Sequence, residues 1–113
     1  KKDISIIKST NNEKTFLFEG FFVALSFIEL HNNILGNILV LNSISLINKP
    51  IEFLKTNKEV YLFLDNDGAG LRCKDILISN IQFAKDYSNI YSDYKDFNEY
   101  LINRKPHMFN LEI

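Results

Sequence analysis

Four short, mostly apolar segments separated by longer stretches place the strongest limit on how this chain can fold. They are TFLF (15–18), NILVL (37–41), EVYLFL (59–64) and the weaker YSNIYS (87–92). Strands buried on both faces show continuous apolar runs, whereas strands with one solvated face alternate. Short apolar strands that alternate with helices indicate a parallel sheet covered on both faces. We therefore predict an α/β fold with about four parallel strands flanked by helices on both faces.

The rest of the chain is predicted to form the helices and one further strand. The spacing of its apolar residues and the positions of its turn residues predict a leading strand and four helical segments. Pro50 is expected to start the second part of the second helix, and Asp96 to cap the last helix, with Glu99 three residues on as in a capping box. The predicted elements are a strand at ISII (4–7) and helices at 21–31, 44–57, 69–85 and 96–104, with no assignment for the tail 105–113.

Size and composition narrow the class of protein. A chain of 113 residues that is 46% hydrophobic fits a single domain, 1–113, with a buried core. No apolar run approaches the roughly 20 residues of a membrane helix. The only cysteine, Cys73, excludes an internal disulfide and a Cys-rich zinc site, which fits a reducing cytoplasm. The first residue is Lys1 rather than Met, and we expect the chain to be a fragment of a longer protein.

Polar residues follow each predicted strand at its carboxyl end. Glu19-Gly20 follow the first strand and Asn42-Ser43 the second. Asp65-Asn66-Asp67-Gly68 follow the third, and Asp93 and Asp96 come after the fourth. Ligands of open parallel sheets bind outside the carboxyl ends of the strands. The sequence thus predicts that these groups collect at one edge of the sheet.

Several carboxylates at one edge of the sheet would repel one another unless they share a proton or bind a cation. Two unit charges 4 Å apart repel by about 4 kcal/mol at an effective dielectric constant near 20, so either a proton or a cation must be shared. Clustered carboxylates without nearby His or Cys suit Mg²⁺ or Mn²⁺. Gly68 and Gly70 would let the backbone approach a ligand, and the following helix would offer N–H groups to phosphate. Acids, divalent metal and phosphate together indicate phosphoryl or nucleotidyl transfer.

Other interpretations of Asp-x-Asp-Gly are weighed against this one. Alone, the motif is also typical of a plain turn. A calcium loop that began at Asp65 would need oxygen ligands at positions held by Ala69 and Ile76. A phosphate-binding P-loop would need Gly-Lys-Ser/Thr, where this chain has Leu71-Arg72-Cys73. The stretch also looks like the haloacid-dehalogenase nucleophile motif, which normally opens its domain and carries Thr where Ala69 stands.

The order of these motifs resembles a known family, the TOPRIM domain shared by bacterial-type DNA primases, topoisomerases and some nucleases. The resemblance rests on FLFEGFFVALS (16–26) and LFLDNDGAG (62–70). VLNSIS (40–45) and DYKDFNEYL (93–101) extend it to the primase-like TOPRIM proteins of Bacteroidetes mobile elements. In that group a zinc-binding segment usually precedes the domain.

The resemblance implies a compact Rossmann-like fold that binds Mg²⁺ or Mn²⁺. It assigns Glu19 as general acid or base or metal ligand, Asp65 and Asp67 as metal ligands, and Asp96 as a further acid of the site. Phosphate or nucleic-acid contacts are expected from residues near the strand ends and on the following helix. These residues are Gly20, Ser43, Gly68, Gly70, Arg72 and Lys74.

One position departs from the family pattern. The related primases commonly carry Asp three residues after the Gly of Glu-Gly, and this chain has Val23 there.

The expected function is magnesium-dependent nucleotidyl transfer for primer synthesis, in DNA replication or mobile-element transfer. The alternatives are phosphodiester hydrolysis or nicking, and a degenerate module that only binds. The formal charge of −1 is low for a nucleic-acid binder. Single-stranded DNA and nucleotides are therefore expected to bind with the help of flanking zinc-binding or helicase domains.

Overall fold

The strands form one sheet whose central members are all parallel. The computed structural model describes residues 3–9, 13–30 and 36–103. Within these ranges the sheet has five strands in the order β1-β3-β2-β4-β5, and only β1 is antiparallel to its neighbour. The strands are β1 (Ser5–Ile7), β2 (Lys14–Phe18), β3 (Asn37–Val40), β4 (Glu59–Phe63) and β5 (Ala84–Asp86). The predicted α/β fold with four parallel strands is confirmed, and the predicted leading strand 4–7 is the antiparallel edge strand β1.

Helices connect the strands and cover both faces of the sheet. The α-helices are α1 (Phe21–Leu30), α2 (Ile51–Leu54), α3 (Gly68–Asn80) and α4 (Phe97–Asn103), and short 3₁₀ helices span Ile44–Leu46 and Ser88–Tyr91. The described residues contain no helix that is long and apolar enough to cross a membrane. The predicted tail, 105–113, lies outside the described residues.

The two faces of the sheet have different cores because successive side chains of a strand point to opposite faces. Leu17, Leu39 and Leu62 pack with residues of α2 and α3 in an aliphatic cluster. Phe18 and Phe63 point to the other face, where α1 and α4 complete an aromatic cluster. The Phe18 and Phe63 ring centroids lie 5.0 Å apart. Burial on both faces accounts for the continuous apolar runs of the central strands.

The strand register brings the carboxyl ends together. Phe18, the last residue of β2, lies opposite Val40 of β3 and Phe63 of β4. The residues that follow these three strands therefore lie side by side at one edge of the sheet, as the sequence predicted.

Three sequence-based boundaries were wrong. The fourth parallel strand is Ala84–Asp86 rather than 87–92, which is largely a 3₁₀ helix. The predicted helix 69–85 begins at Gly68 and ends at Asn80. Residues 81–83 form the turn into β5, and Ala84 and Lys85 belong to that strand. The predicted helix 44–57 is a 3₁₀ turn followed by one turn of α-helix from Ile51, with Pro50 at the N-cap. Proline fixes its own φ and lacks an N–H, so it separates the two pieces.

The prediction for the last helix is confirmed. It runs from Phe97 to Asn103, and Asp96 Oδ1 accepts a hydrogen bond from the Glu99 N–H at 2.8 Å. This bond satisfies one of the N–H groups that a helix N-terminus leaves free. It also fixes the Asp96 carboxylate beside the carboxyl edge of the sheet.

Candidate metal centre at the carboxyl edge of the sheet

Three carboxylates converge at the ends of the two central strands. Glu19 directly follows β2, Asp65 follows β4 after Leu64, and Asp67 precedes α3. One carboxylate oxygen from each side chain lies within 4.8 Å of the others. All three side chains are half-buried. The parallel pairing of β2 with β4 is what places Glu19 against residues more than 40 positions away in the sequence.

Backbone hydrogen bonds hold the turn after β4. The Asp65 N–H donates to Glu19 Oε1 at 3.3 Å, which ties the two strand ends together. Asp67 Oδ1 accepts from the Gly70 N–H at 2.7 Å, so Asp67 caps the first turn of α3. The other Asp67 carboxylate oxygen takes no part in this cap. Asp67 thus serves both as an N-cap and as a member of the carboxylate cluster.

Gly70 is required by a close approach of backbone to backbone. A Cβ at this position would lie 2.1 Å from the Asp65 carbonyl oxygen. No side chain fits at that distance, so the first turn of α3 can pack on Asp65 only because residue 70 is glycine. The sequence predicted that Gly70 makes room for phosphate. In the structure, its nearest neighbour is Asp65, and a phosphate contact remains a prediction.

Burial and neighbouring negative charges raise the pKa of two of these carboxylates, Glu19 and Asp65. Burial, followed by the negative charge of Asp65, raises the pKa of Glu19 to about 7. Burial also raises the pKa of Asp65, helped by the charges of Asp96 and Asp67. Within the described part of the chain, none of the three clustered carboxylates forms an ion pair with a lysine or arginine. The cluster therefore favours a bound proton or a bound cation.

The donor set fits a hard divalent cation. Mg²⁺ and Mn²⁺ prefer carboxylate oxygens, and the cluster offers three of them without a thiolate or imidazole. Raised pKa values are also expected of a metal-binding carboxylate cluster when no cation is bound, because repulsion between carboxylates is then unopposed. Glu19, Asp65 and Asp67 are therefore the residues that would hold the ion.

A cavity of about 440 Å³ opens beside the cluster. This volume lies in the range of small-molecule sites in proteins. Glu19 and Asp65 form part of its wall, together with three other residues that the sequence analysis proposed as ligand contacts, Gly20, Ser43 and Asp96. The remaining lining residues are Phe21, Phe22, Val23, Asn42, Ile44 and Asn98.

Asp96 reaches the same cavity but lies outside the three-carboxylate cluster. Its negative charge contributes to the raised pKa of Asp65. Its expected role as a metal ligand remains a prediction. The structure supports a position beside the cluster, from which Asp96 can act on a ligand in the cavity.

Asn66 positions the loop that carries Asp96, a role that the sequence analysis missed. The Asn66 Nδ2 donates to the carbonyl oxygens of Tyr91 and Tyr94 at 2.8 and 3.0 Å. The Asn66 N–H donates to the Lys95 carbonyl oxygen at 2.6 Å. These bonds join the turn after β4 to residues almost 30 positions later. The local sequence carries no signal of them, because their acceptors are backbone carbonyls of a distant loop.

Asn42 is a second residue whose role the sequence analysis missed, although it placed Asn42 at this edge of the sheet. Its φ of 65° lies in the left-handed region, which asparagine tolerates better than most residues. The Asn42 N–H donates to the Glu19 carbonyl oxygen at 3.0 Å. The Asn42 Nδ2 donates to the Asp3 carbonyl oxygen and to Ser5 Oγ at 2.7 and 2.9 Å. Asn42 therefore fixes the backbone of Glu19 relative to β1. The available signal was an asparagine directly after a buried strand.

Gly20 and Ser43 both border the cavity. A Cβ at residue 20 would meet no atom within 4 Å, so the fold of the described residues does not require glycine there. The Ser43 hydroxyl lies 2.8 Å from the Ser45 hydroxyl and makes no capping bond to the following 3₁₀ helix. Both positions leave space or polar atoms open to a ligand.

The three remaining predicted phosphate contacts lie on α3, away from the cavity wall. The Lys74 Nζ forms an ion pair with Asp86 Oδ2 at 3.2 Å, and this pair would compete with a phosphate contact. Arg72 is exposed, and a Cβ at Gly68 would lie 3.3 Å from its Nη1. Their contacts with phosphate or nucleic acid stay predictions.

Val23 forms an apolar part of the cavity wall. It is 7% exposed and packs in the aromatic cluster while also bordering the cavity. The position at which related primases carry an acid is therefore beside the carboxylate cluster, and valine removes a potential oxygen ligand from it.

Comparisons with known proteins point in one direction. The model of the Toprim-like family matches residues 16–101. The primase fragment of the bacteriophage T7 primase-helicase protein is similar in structure, with a TM-score of 0.68 and 21% identity over 82% of this chain and 41% of that chain. A second similar chain comes from a structure of the bacteriophage T7 lagging-strand DNA polymerase with primase domains bound to an RNA/DNA hybrid and dTTP. Its TM-score is 0.67, and its sequence is 21% identical over 82% of this chain and 50% of that chain. No curated protein sequence matches this chain.

The structural similarities and the family match support different conclusions. At 21% identity the solved structures establish the fold, which is that of the TOPRIM domain of primases. The chain spans half or less of the length of each of them. The family match covers most of the chain and includes Glu19, Asp65 and Asp67. The motif order, the sheet that brings its acids together and this match agree, and the chain belongs to the Toprim-like family.

Proposed function

We propose that this chain is the catalytic Toprim domain of a DNA primase-like protein and supports magnesium-dependent nucleotidyl transfer in primer synthesis. The observation that carries the proposal is the cluster of Glu19, Asp65 and Asp67 at adjacent ends of the central strands. The similarity to T7 primase domains, one structure of which is bound to an RNA/DNA hybrid and dTTP, supports the choice of reaction. A role in replication or in the transfer of mobile elements is part of the proposal.

Glu19, Asp65 and Asp67 would hold Mg²⁺ or Mn²⁺, and Asp96 would face the ligand from the opposite loop. A bound divalent ion would supply charge stabilisation to phosphoryl oxygens and orient the reacting groups. The hydrogen bond from the Asp65 N–H to Glu19 and the cap made by Asp67 hold the carboxylates in place before the ion binds. Little side-chain rearrangement is then needed on binding.

Glu19 is the residue suited to proton transfer. When Glu19 does not coordinate the ion, its pKa of about 7 lets the carboxylate hold or release a proton near neutral pH, which is the requirement for a general acid or base. A cation bound to Glu19 would compete with that proton, so the roles of Glu19 as metal ligand and as acid or base are alternatives. Gly20 and Ser43 border the same cavity and are proposed to contact the phosphate.

The partners proposed are single-stranded DNA and nucleotides. The formal charge of −1 supplies little of the phosphate attraction that dominates nucleic-acid affinity. Arg72 and Lys74 of α3 would contribute contacts, and flanking domains would hold most of the strand.

The metal site is tested by titrating Mn²⁺ into this chain while heat flow and the melting temperature are measured. The double variant Asp65→Asn/Asp67→Asn should lose the Mn²⁺-dependent rise in melting temperature and should be more stable than wild type without metal, because two repelling charges are gone. Glu29→Gln/Asp75→Asn is the matched control, since it removes the same charge from exposed positions. An unchanged melting temperature of the wild type with Mn²⁺ would contradict the proposal.

The reaction is tested with the longest natural protein that contains this chain. Ribonucleotides, Mg²⁺ and a single-stranded template should yield short primers, and Glu19→Gln should abolish them. A supercoiled plasmid in the same assay reports nicking. Nicking without primer synthesis would overturn nucleotidyl transfer and favour hydrolysis.

A degenerate, binding-only domain is the second candidate, and Val23 favours it because it places an apolar side chain in the cavity wall. Val23→Asp tests this candidate directly. A marked increase in Mn²⁺ affinity would indicate a site that has lost a ligand. Equal affinity in wild type and variant would indicate that the valine leaves the metal site intact.

A further inference from the structure

Two aromatic side chains at the start of α1 are exposed at the mouth of the acidic cavity. Phe21 is 48% exposed and Phe22 is 78% exposed. Both border the cavity that Glu19 and Asp65 also border. The cavity therefore combines an acidic wall with an aromatic rim.

The exposure of Phe22 contrasts with the packing of the rest of its helix. Val23, Ala24 and Phe27 are at most 7% exposed and supply the contacts of α1 with the aromatic core. Phe22 belongs to neither core cluster and is more exposed than any other large apolar side chain in the described ranges. The fold gains little from an aromatic ring at this position, which points to a ligand as the reason for it.

We propose that Phe22, assisted by Phe21, is a stacking surface for the nucleobase of a nucleotide whose phosphate faces the carboxylate cluster. This inference rests on the proposed function, because it assigns a subsite to the same cavity. A ligand of this cavity must present an anion toward a cation at Glu19 and Asp65 and a flat apolar face toward Phe22. A nucleotide has both parts, and bases of any sequence stack on aromatic rings.

A protein partner is the other occupant to consider, since Leu25 of α1 and Ile102 of α4 are also exposed, at 43% and 75%. Neither of these two residues borders the cavity, whereas Phe21 and Phe22 both do. Position beside the carboxylates favours the nucleobase over a continuous apolar docking face.

The test compares two ligands that differ only in the base and sugar. Binding of 2-aminopurine riboside triphosphate and of inorganic triphosphate is measured with Mn²⁺ present. Phe22→Ala should weaken binding of the nucleotide about 10-fold and leave binding of inorganic triphosphate unchanged. Leu25→Ala is the matched control on the same helix and should alter neither affinity.

A conservative variant separates stacking from general apolar contact. The chain contains no tryptophan, so Phe22→Trp introduces a single reporter that retains a flat ring. Its emission should be quenched by the nucleotide and not by inorganic triphosphate, and the affinity of wild type should be kept. Phe22→Leu keeps an apolar side chain and should bind the nucleotide as weakly as Phe22→Ala.

The outcomes distinguish this inference from the proposed function. Absence of Mn²⁺ binding to wild type would overturn both. Mn²⁺ binding with no preference for the nucleotide over inorganic triphosphate would overturn stacking alone. An effect of Leu25→Ala as large as that of Phe22→Ala, or full binding by Phe22→Leu, would overturn stacking in favour of an apolar docking face.

Discussion

The polar side chains at the two ends of the central strands differ in their pairing. Those at the amino end are bonded to one another, whereas those at the carboxyl end are carboxylates of like charge. At the amino end, Thr15, Asn37 and Asn57 are at most 4% exposed and bond to one another. Thr15 Oγ1 donates to Asn57 Oδ1 at 2.7 Å, and Asn37 Nδ2 donates to Thr15 Oγ1 at 3.2 Å. At the carboxyl end, Glu19 and Asp65 are half-buried, of like charge, and have raised pKa values.

The difference separates polar groups that are paired within the fold from carboxylates that are available to a ligand. Buried polar groups in structural positions are paired, because an unpaired one costs about 1–3 kcal/mol. Carboxylates whose repulsion is left uncompensated beside a cavity are typical of a functional site. Substitutions at the two ends should therefore affect different measurements.

The largest effect on stability is expected from Gly70→Ala. Because the new Cβ would lie 2.1 Å from the Asp65 carbonyl oxygen, the first turn of α3 must move, at a cost of about 3 kcal/mol in the free energy of unfolding. Urea denaturation measures this loss, and Mn²⁺ affinity should fall with it because Asp65 and Asp67 are displaced. Gly20→Ala is the control. It should change stability by less than about 1 kcal/mol, since its Cβ would meet no atom. A stable Gly70→Ala variant with normal Mn²⁺ binding would refute the structural role of this glycine.

A smaller effect is expected from Asn37→Ala at the opposite end. The variant leaves the Thr15 hydroxyl and the Ser9 N–H without the Asn37 side chain and should lower the free energy of unfolding by about 2 kcal/mol. Mn²⁺ affinity, measured by calorimetry, should stay unchanged because the proposed metal site is at the other edge of the sheet. Asn80→Ala, on the exposed end of α3, is the control and should cost less than about 0.5 kcal/mol. A drop in Mn²⁺ affinity of Asn37→Ala would show that the two ends are not independent.

The smallest effect is a pH dependence of stability without metal. The pKa of Glu19 rises from 4.5 to about 7 on folding, so its favourable protonated state is complete below 4.5 and lost as pH rises through about 7. Burial shifts the pKa of Asp65 in the same direction. The charges of Asp96 and Asp67 add to this rise, whereas hydrogen bonding with Glu19 and the charge of Lys95 oppose it. In EDTA, the melting temperature should fall between pH 4.5 and 7, and Glu19→Gln should reduce this slope.

Added Mn²⁺ should reverse the sign of that dependence. The ion competes with protons for the same carboxylates, so the stabilisation by Mn²⁺ should grow as pH rises. Thermal melts at matched pH with and without Mn²⁺ measure both slopes. A melting temperature that rises with pH in EDTA would contradict the raised pKa of Glu19.

Much of the central sheet and of the site could be predicted because their signals are local. The apolar runs of β2, β3 and β4 are continuous since both faces of the sheet are covered, and the polar residue after each run marks its carboxyl end. Parallel pairing then requires that Glu19, Asp65 and Asp67 lie at one edge. The metal-ligand roles assigned to them remain predictions that the Mn²⁺ titrations test.

The fourth parallel strand could not be predicted because its signal is not local. Ala84–Asp86 is a short edge strand with a polar residue in two of its three positions. Its strand conformation depends on pairing with β4, in which Val60 lies opposite Ala84. The more apolar stretch that follows forms a 3₁₀ helix instead, and the Tyr91 hydroxyl donates to the Leu64 carbonyl oxygen at 2.7 Å.

The sequence by itself determined the α/β class, the central strands and the acids that follow them, because periodicity and strand ends are properties of neighbouring residues. The tertiary structure alone decided which groups are paired and which remain open. In the folded chain, Lys74 forms an ion pair with Asp86, and Gly70 packs against the backbone of Asp65. Asn66 donates hydrogen bonds to the loop that carries Asp96. The tertiary structure also left Phe22 exposed beside the acidic cavity. These outcomes depend on contacts between residues distant in sequence, which packing fixes and local pattern does not encode.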